Sequence, residues 1–230
     1  MKTIAIMQPY LFPYIGYFQL LKQVDEFIVY DDVQHIKRGW INRNNYLING
    51  EGRLITISLF GASTTKLINE IDIQDDFRSY KKSIKEAYAK APYFKEVYAL
   101  IEDVCSFEDR NLARFITNSI EAVARYLSID TQLVLSSSLI NDKKLKGQDK
   151  ILSICKMRNA DRYINPIGGL ELYDRAYFGA NGVDLYFIKS EITPYVQYKN
   201  EFVPSLSIVD VLMFNSPKKV NEMLDRYELV

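Results

Sequence analysis

Two adjacent carboxylates, Asp31 and Asp32, follow the apolar run FIVY, and His35, Lys37, Arg38, Trp40, Asn42 and Arg43 come close behind. A carboxylate can orient an amine, take its proton, or hold Mg²⁺. A guanidinium fork matches phosphate or carboxylate, and an indole offers a stacking face. Asp31, Asp32 and the lone histidine, His35, are therefore the candidate acid–base residues. Lys37, Arg38, Trp40, Asn42 and Arg43 are the candidate clamp for an anionic substrate. A solvated hairpin with ordinary ion pairs is the competing reading, but it gives no reason for the tryptophan and the asparagines.

A second group lies in MQPYLFPYIGYFQLL, from Met7 to Leu21. This stretch leaves a strand and enters a helix, where free backbone N–H groups and the helix dipole favour anions. Gly16, flanked by Tyr14 and Tyr17, would let a ligand approach the backbone. Gln8, Tyr14, Gly16 and Tyr17 are the expected nucleotide or phosphate contacts, with Lys146 at the start of a later helix. In placement, Tyr-Ile-Gly-Tyr resembles the His-x-Gly-His signature of adenylyl-transferring α/β domains, although tyrosine cannot replace imidazole as a cation. Alternatively, Pro9, Pro13 and the aromatic rings stiffen and pack a loop. A third group, Asn165 with Gly168 and Gly169, forms a loop that could contact substrate or be an ordinary turn. One pocket at one sheet edge is expected to gather all three groups.

The elements that would position these residues follow from pattern. Thr3–Met7 reads as a buried strand, Tyr14–Gln23 as a helix with Ile15, Phe18 and Leu21 on one face, and Glu26–Tyr30 as a second strand. A βαβ unit implies parallel pairing. Asp31 and Asp32 then sit at a strand's carboxyl end, where open parallel sheets bind ligands. Residues 37–59 predict a hairpin turning at Asn49-Gly50-Glu51-Gly52, with Leu54–Leu59 as the return strand. About 77–127 reads as helical, broken at Ala91-Pro92, with Asp109 as a plausible N-cap of a helix ending near Tyr126. Further strands are expected at Gln132–Leu135, Arg162–Asn165 and Leu185–Ile188. A helix is expected at Gln148–Met157, and two short ones from about Ser207 and Pro217. The fold class is α/β, a layered Rossmann-like parallel-sheet core with a helical insertion in a single domain over 1–230.

Composition narrows the function. Lys+Arg and Asp+Glu are both 29, which argues against general affinity for nucleic acid or acidic membrane surfaces. One histidine and two cysteines, Cys105 and Cys155, with no Cys-x-x-Cys, argue against structural zinc, and no metal ligands are assigned. Two buried free thiols imply a reducing compartment. There is no signal-peptide pattern and no apolar run of about 18 residues, so a cytoplasmic location without a membrane span is expected.

The segments QPYLFPYIGYFQL, DDVQ with KRGWINRN, YINPIGG with LYD, and PYVQ with PSLSIVDVLMFN, in that order, resemble the WbqC-like family of bacteria over nearly the whole chain. The resemblance implies a place in O-antigen or related surface-polysaccharide (lipopolysaccharide) synthesis and, for some members, glycine transfer. The expected activity is an acyl transferase, glycyl by resemblance alone, acting on an amino or hydroxyl group of a nucleotide-linked or lipid-linked sugar. Activation by ATP, with or without Mg²⁺, a thioester donor and an aminoacyl-tRNA donor all stay open. So do a nucleotidyltransferase acting on a sugar phosphate and a non-catalytic binding module for polysaccharide assembly.

Overall fold

The computed structural model describes residues 1–140, 144–199 and 201–230. Its centre is a sheet built from β1 (Thr3–Met7), β2 (Glu26–Val29), β7 (Gln132–Leu135), β8 (Arg162–Pro166), β9 (Asp184–Ser190) and β10 (Tyr227–Leu229). Between them run α1 (Ile15–Lys22), a hairpin of β3 (Arg43–Ile48) and β4 (Glu51–Thr56), and a small ladder of β5 (Leu59–Phe60) and β6 (Asp72–Ile73). Helices α2 (Arg78–Tyr88), α3 (Phe94–Ser106), α4 (Leu112–Tyr126), α5 (Gly147–Met157), α6 (Arg175–Ala180), α7 (Ile208–Phe214) and α8 (Pro217–Leu224) complete the described chain.

The sheet order is β10-β9-β8-β1-β2-β7. Every neighbouring pair is parallel except β9 and β10. The chain winds outward from β1 through β2 to β7, returns to the other side of β1 as β8, and winds out again. This is the doubly wound order, with its switch point between β1 and β8. The α/β class and the Rossmann-like core expected from the sequence are thus present.

Alternation in β1 explains why both faces must be covered. Ile4 and Ile6 join a core with Ile151, Ile154 and Cys155 of α5 and Phe178 of α6. Ala5 joins the opposite core, with residues of α1, α2, α3, α4, α7 and α8. A parallel sheet sandwiched between helices needs apolar side chains on both faces, and β2 is buried at all four positions. The helices of 77–127 are not a separate body of contacts. Their apolar stripes belong to the same core as α1.

Local chemistry shifts several boundaries. The hairpin turns on Asn49 and Gly50 alone, both with positive φ (54° and 80°), and Ile48 pairs Glu51. Two left-handed residues make the tight turn that suits strand twist, so Glu51 and Gly52 belong to β4, not to the turn. The N-cap of α4 is Asn111, whose side chain accepts from Arg114 N. Asp109 lies two residues earlier, accepts from Asn111 N at 2.9 Å and pairs with Arg114. Elements β5, β6, α6 and β10 have no counterpart in the expectations. Each is six residues or shorter.

At the amino end of the sheet, Glu26 opens β2 and is bound by Arg158 through two hydrogen bonds (2.8 and 2.7 Å) and by Lys2 at 2.7 Å. The Arg158 contacts lead in holding its carboxyl down, to about 2. This ion cluster ties the N-terminus, β2 and the end of α5 together, on the edge opposite the candidate site.

Candidate functional site

At the carboxyl ends of β2 and β7 the structure builds a polar cluster. Because β2 pairs β7 in parallel, with Val29 opposite Leu135, the residues that follow each strand come side by side. The Asp31 side chain is almost wholly buried, at 1% exposure. Its Oδ1 accepts from Ser136 Oγ at 3.0 Å and Ser137 N at 2.9 Å, and its Oδ2 from Ser137 Oγ at 2.6 Å and Asn69 Nδ2 at 3.3 Å. Asp32 is bound by Ser136 Oγ through Oδ1 and by Lys150 Nζ through Oδ2 at 2.8 Å. Lys150, on α5, also donates to the Asp32 carbonyl at 3.2 Å and lies 4.8 Å from the centre of the Tyr30 ring. Burial, with the Asp32 charge second, keeps the Tyr30 hydroxyl well above the usual phenol range.

Asp32, Asn69, Ser137 and Lys150, with Leu67, Leu139 and Ile140, line a cavity of about 370 Å³. Its chemistry is that of a carboxylate beside an ammonium group, with a hydroxyl held by a second, buried carboxylate. Such a set can accept a proton from an amine and place a cation against a developing oxyanion.

A second cavity, of about 220 Å³, lies where the loop after β1 meets the Trp40 turn. Tyr10, Pro13, Tyr14, Trp40, Asn44 and Ser205 line it. Asn44 fastens the two segments, donating to the carbonyls of Leu11 (3.3 Å) and Phe12 (2.8 Å).

The three sequence groups are therefore divided between places. Tyr14 and Trp40 share the aromatic cavity, and Asp32 lines the polar one. Gly168 and Gly169 line neither. A Cβ on Gly169 would lie 1.8 Å from Asn165 Nδ2, so that glycine lets the Asn165 amide pack close. Asn165 accepts from the Tyr163 hydroxyl at 2.9 Å. Gly168 is open, with nothing near its Cβ position.

At the start of α1, protein groups pack against Gly16. A Cβ on Gly16 would meet Ser190 Oγ and the Tyr14 ring, both at 2.4 Å. Segment 205–208 crosses the joint, with Ser207 Oγ donating to Phe12 O (2.7 Å) and Ile208 N to Pro13 O (2.8 Å). The approach expected at the Gly16 Cβ position is taken by the protein itself. Tyr17 is buried against Phe27, with its hydroxyl on Gln8 O at 3.2 Å. Gln8 is held there through its backbone, and Tyr17 belongs to the core.

In the second group, Lys37 and Arg38 are exposed. The Arg43 guanidinium donates to the carbonyl of Gly39 at 2.8 Å and to that of Arg38, so it holds the turn that presents Trp40. Asn42 Nδ2 donates to Ile57 O at 2.8 Å, which supports the hairpin. His35 is buried with both ring nitrogens unbonded, and burial, with Lys37 second, lowers its pKa. It lines neither cavity. Lys146 is the exposed N-cap residue of α5. Cys105 and Cys155 are buried free thiols, each pushed by burial up to about 12, which removes them as nucleophiles at neutral pH. No group of three or more His, Cys, Asp or Glu that could hold a metal occurs among the described residues.

Sequence reasoning found Asp31 and Asp32 but missed Asn69, Ser136, Ser137 and Lys150. Two signals were present. The run Ser136-Ser137-Ser138 directly follows a strand, and Lys150 sits on the stripe that continues through Ile151, Ile154 and Cys155. A lysine on an otherwise apolar helix face needs a buried partner.

The fold and these cavities define a doubly wound α/β protein whose polar and aromatic clusters gather where strands end. More particularly, the chain belongs to the WbqC-like protein family, whose model matches residues 8–222. It is 29% identical over 221 residues to "Uncharacterized protein Rv1507c" of Mycobacterium tuberculosis (strain ATCC 25618 / H37Rv), with 94% of each chain covered. No solved structure matches. No helix among the described residues is long and apolar enough to cross a membrane.

Proposed function

We propose that the protein is a transferase that moves an acyl group, glycyl in the first instance, onto an amine or hydroxyl of a nucleotide-linked or lipid-linked sugar in surface-polysaccharide assembly. The observation that carries this reading is the pairing of Lys150 with Asp32 in a cavity that also presents Ser137, whose hydroxyl donates to the buried Asp31 at 2.6 Å. Asp32 takes the proton of the acceptor amine as its nitrogen attacks the acyl carbonyl. Lys150 faces the oxyanion, and the bond to the donor's leaving group breaks as the carbonyl re-forms. Asp31 is too buried to touch the acceptor and acts by fixing Ser137.

The donor is an activated glycyl group. Tyr14 and Ser190 pack at the Gly16 Cβ position, so a donor does not approach the backbone from that side. The test is to offer glycine with ATP, glycyl-tRNA and a glycyl thioester, each with a nucleotide-linked amino sugar, and to follow the product by mass. Transfer that is abolished in Asp32→Asn and Lys150→Met supports the assignment. Transfer that survives both substitutions refutes the site. Pyrophosphate release from a sugar phosphate without any amino acid would mean a nucleotidyltransferase, and no turnover with any donor would mean a binding module.

A further inference from the structure

We infer that the cavity walled by Tyr10, Tyr14 and Trp40 stacks the base of a nucleotide. Three aromatic rings and the Pro13 ring bound a space of about 220 Å³, large enough for one flat ring system. No lining side chain is charged. Asn44, the one amide there, already serves the Leu11 and Phe12 carbonyls and accepts from Asn45 N. A base offers such rings a π-face and makes few further hydrogen-bond demands. Trp40 is 47% exposed, so its ring is not committed to the core. The exposed Lys37 and Arg38 precede Trp40 on the same turn.

Left-handed backbone occurs in the same segments, as it does at five other described non-glycine positions. Phe12 (φ 42°), Arg38 (φ 61°) and Ser205 (φ 57°) are left-handed non-glycine residues, and each belongs to a segment that walls this cavity. Such conformations persist only where surrounding structure enforces them, and they gather at binding sites. Arg43 and Asn44 donate to the carbonyls of two of the three, Arg38 and Phe12.

The inference rests on the transferase reading only in taking one substrate to be nucleotide-linked. It predicts little choice among bases, because aromatic stacking is tolerant of base identity. Trp40 is the chain's single tryptophan, so its fluorescence reports the cavity directly. The probes are UMP, AMP, ribose 5-phosphate and free N-acetylglucosamine, added to the intact chain and followed by fluorescence and calorimetry. UMP and AMP should quench Trp40 and bind within about tenfold of each other, and the two compounds without a base should bind at least about tenfold more weakly. Trp40→Ala should weaken UMP by about 5- to 150-fold, the span for loss of one stacking ring. Trp40→Phe should restore most of the affinity, which a general loss of fold would not allow. Ribose 5-phosphate or the free sugar binding as tightly as UMP overturns the inference, as does unchanged affinity in Trp40→Ala. With the base established, the tighter of ATP and UDP-N-acetylglucosamine tells whether donor or acceptor carries it. Glycyl transfer without nucleotide binding would overturn this inference alone, and nucleotide binding without transfer from any donor would overturn the transferase alone.

Discussion

Lys150→Met should unfold the protein more easily and abolish its activity, and the two effects separate in a double mutant. The Lys150 and Asp32 side chains are only 9% and 14% exposed, and their charged atoms are 2.8 Å apart. Removing one partner of such a pair costs about 3–5 kcal/mol, mostly because the remaining charge is left desolvated. Residual exposure of Asp32 puts the expected value near the low end, about 3 kcal/mol. For a chain of this length that is a fall in melting temperature of roughly 6–12 °C. Adding Asp32→Asn to Lys150→Met removes the stranded charge and should recover about 2 kcal/mol, since replacing both members of a buried pair is often close to neutral. Urea unfolding of wild type, both single variants and the double variant gives the coupling directly. Activity should be absent in all three variants, including the restabilised one. A loss below about 1 kcal/mol for Lys150→Met would mean that the pair is solvated, and the cavity would then lack the low dielectric that the proposed proton transfer needs.

Two more outcomes are expected. Glu26 has its folded pKa depressed to about 2, so its contribution is present above the ordinary value near 4.5 and is lost as pH falls toward 2; screening by the partly exposed Lys2 and Arg158 reduces it to about 1–2 kcal/mol, and wild type and Glu26→Gln should differ by that much at pH 6 in urea and converge near pH 2. Gly16→Val should displace the Tyr14 ring and Ser190, costing about 1–3 kcal/mol by overpacking and weakening UMP as one cavity wall moves; unchanged stability and unchanged UMP affinity would show that the joint has slack.

The neighbourhood of Asp31 was legible because FIVY ends at a carboxylate pair, and a strand's last residue has only one exit. The contacts of that pair were not. Ser136 and Ser137 arrive from more than a hundred positions away because β7 adds to β2 rather than to the other side of the sheet. The local pattern of Gln132–Leu135 is equally apolar for either placement. Arg43 makes contacts that its residue type alone did not specify. Its residue type suggested an anion clamp, yet a guanidinium donates as readily to carbonyls, and the Trp40 turn supplied two of them. Gly16 was read as room for a ligand, but room depends on what crosses above, and the crossing segment lies at 205–208.

By itself the sequence determined what periodicity and stereochemistry can encode. It set the alternating strand and helix pattern that forces a sandwiched parallel sheet, the Asn49-Gly50 turn, which needs two left-handed residues, and the presence of carboxylates and cations near strand ends. Only the tertiary structure decided that the aromatic groups and the acid–base groups line two cavities rather than one, that Lys150 is the cation paired with Asp32, and that Tyr14 and Ser190 fill the space beside Gly16. The physical reason is that strand order and the paths of long loops follow from the combined burial of two cores. No stretch of ten or twenty residues contains that balance, so which side chains meet at the sheet edge is fixed only when the whole chain has packed.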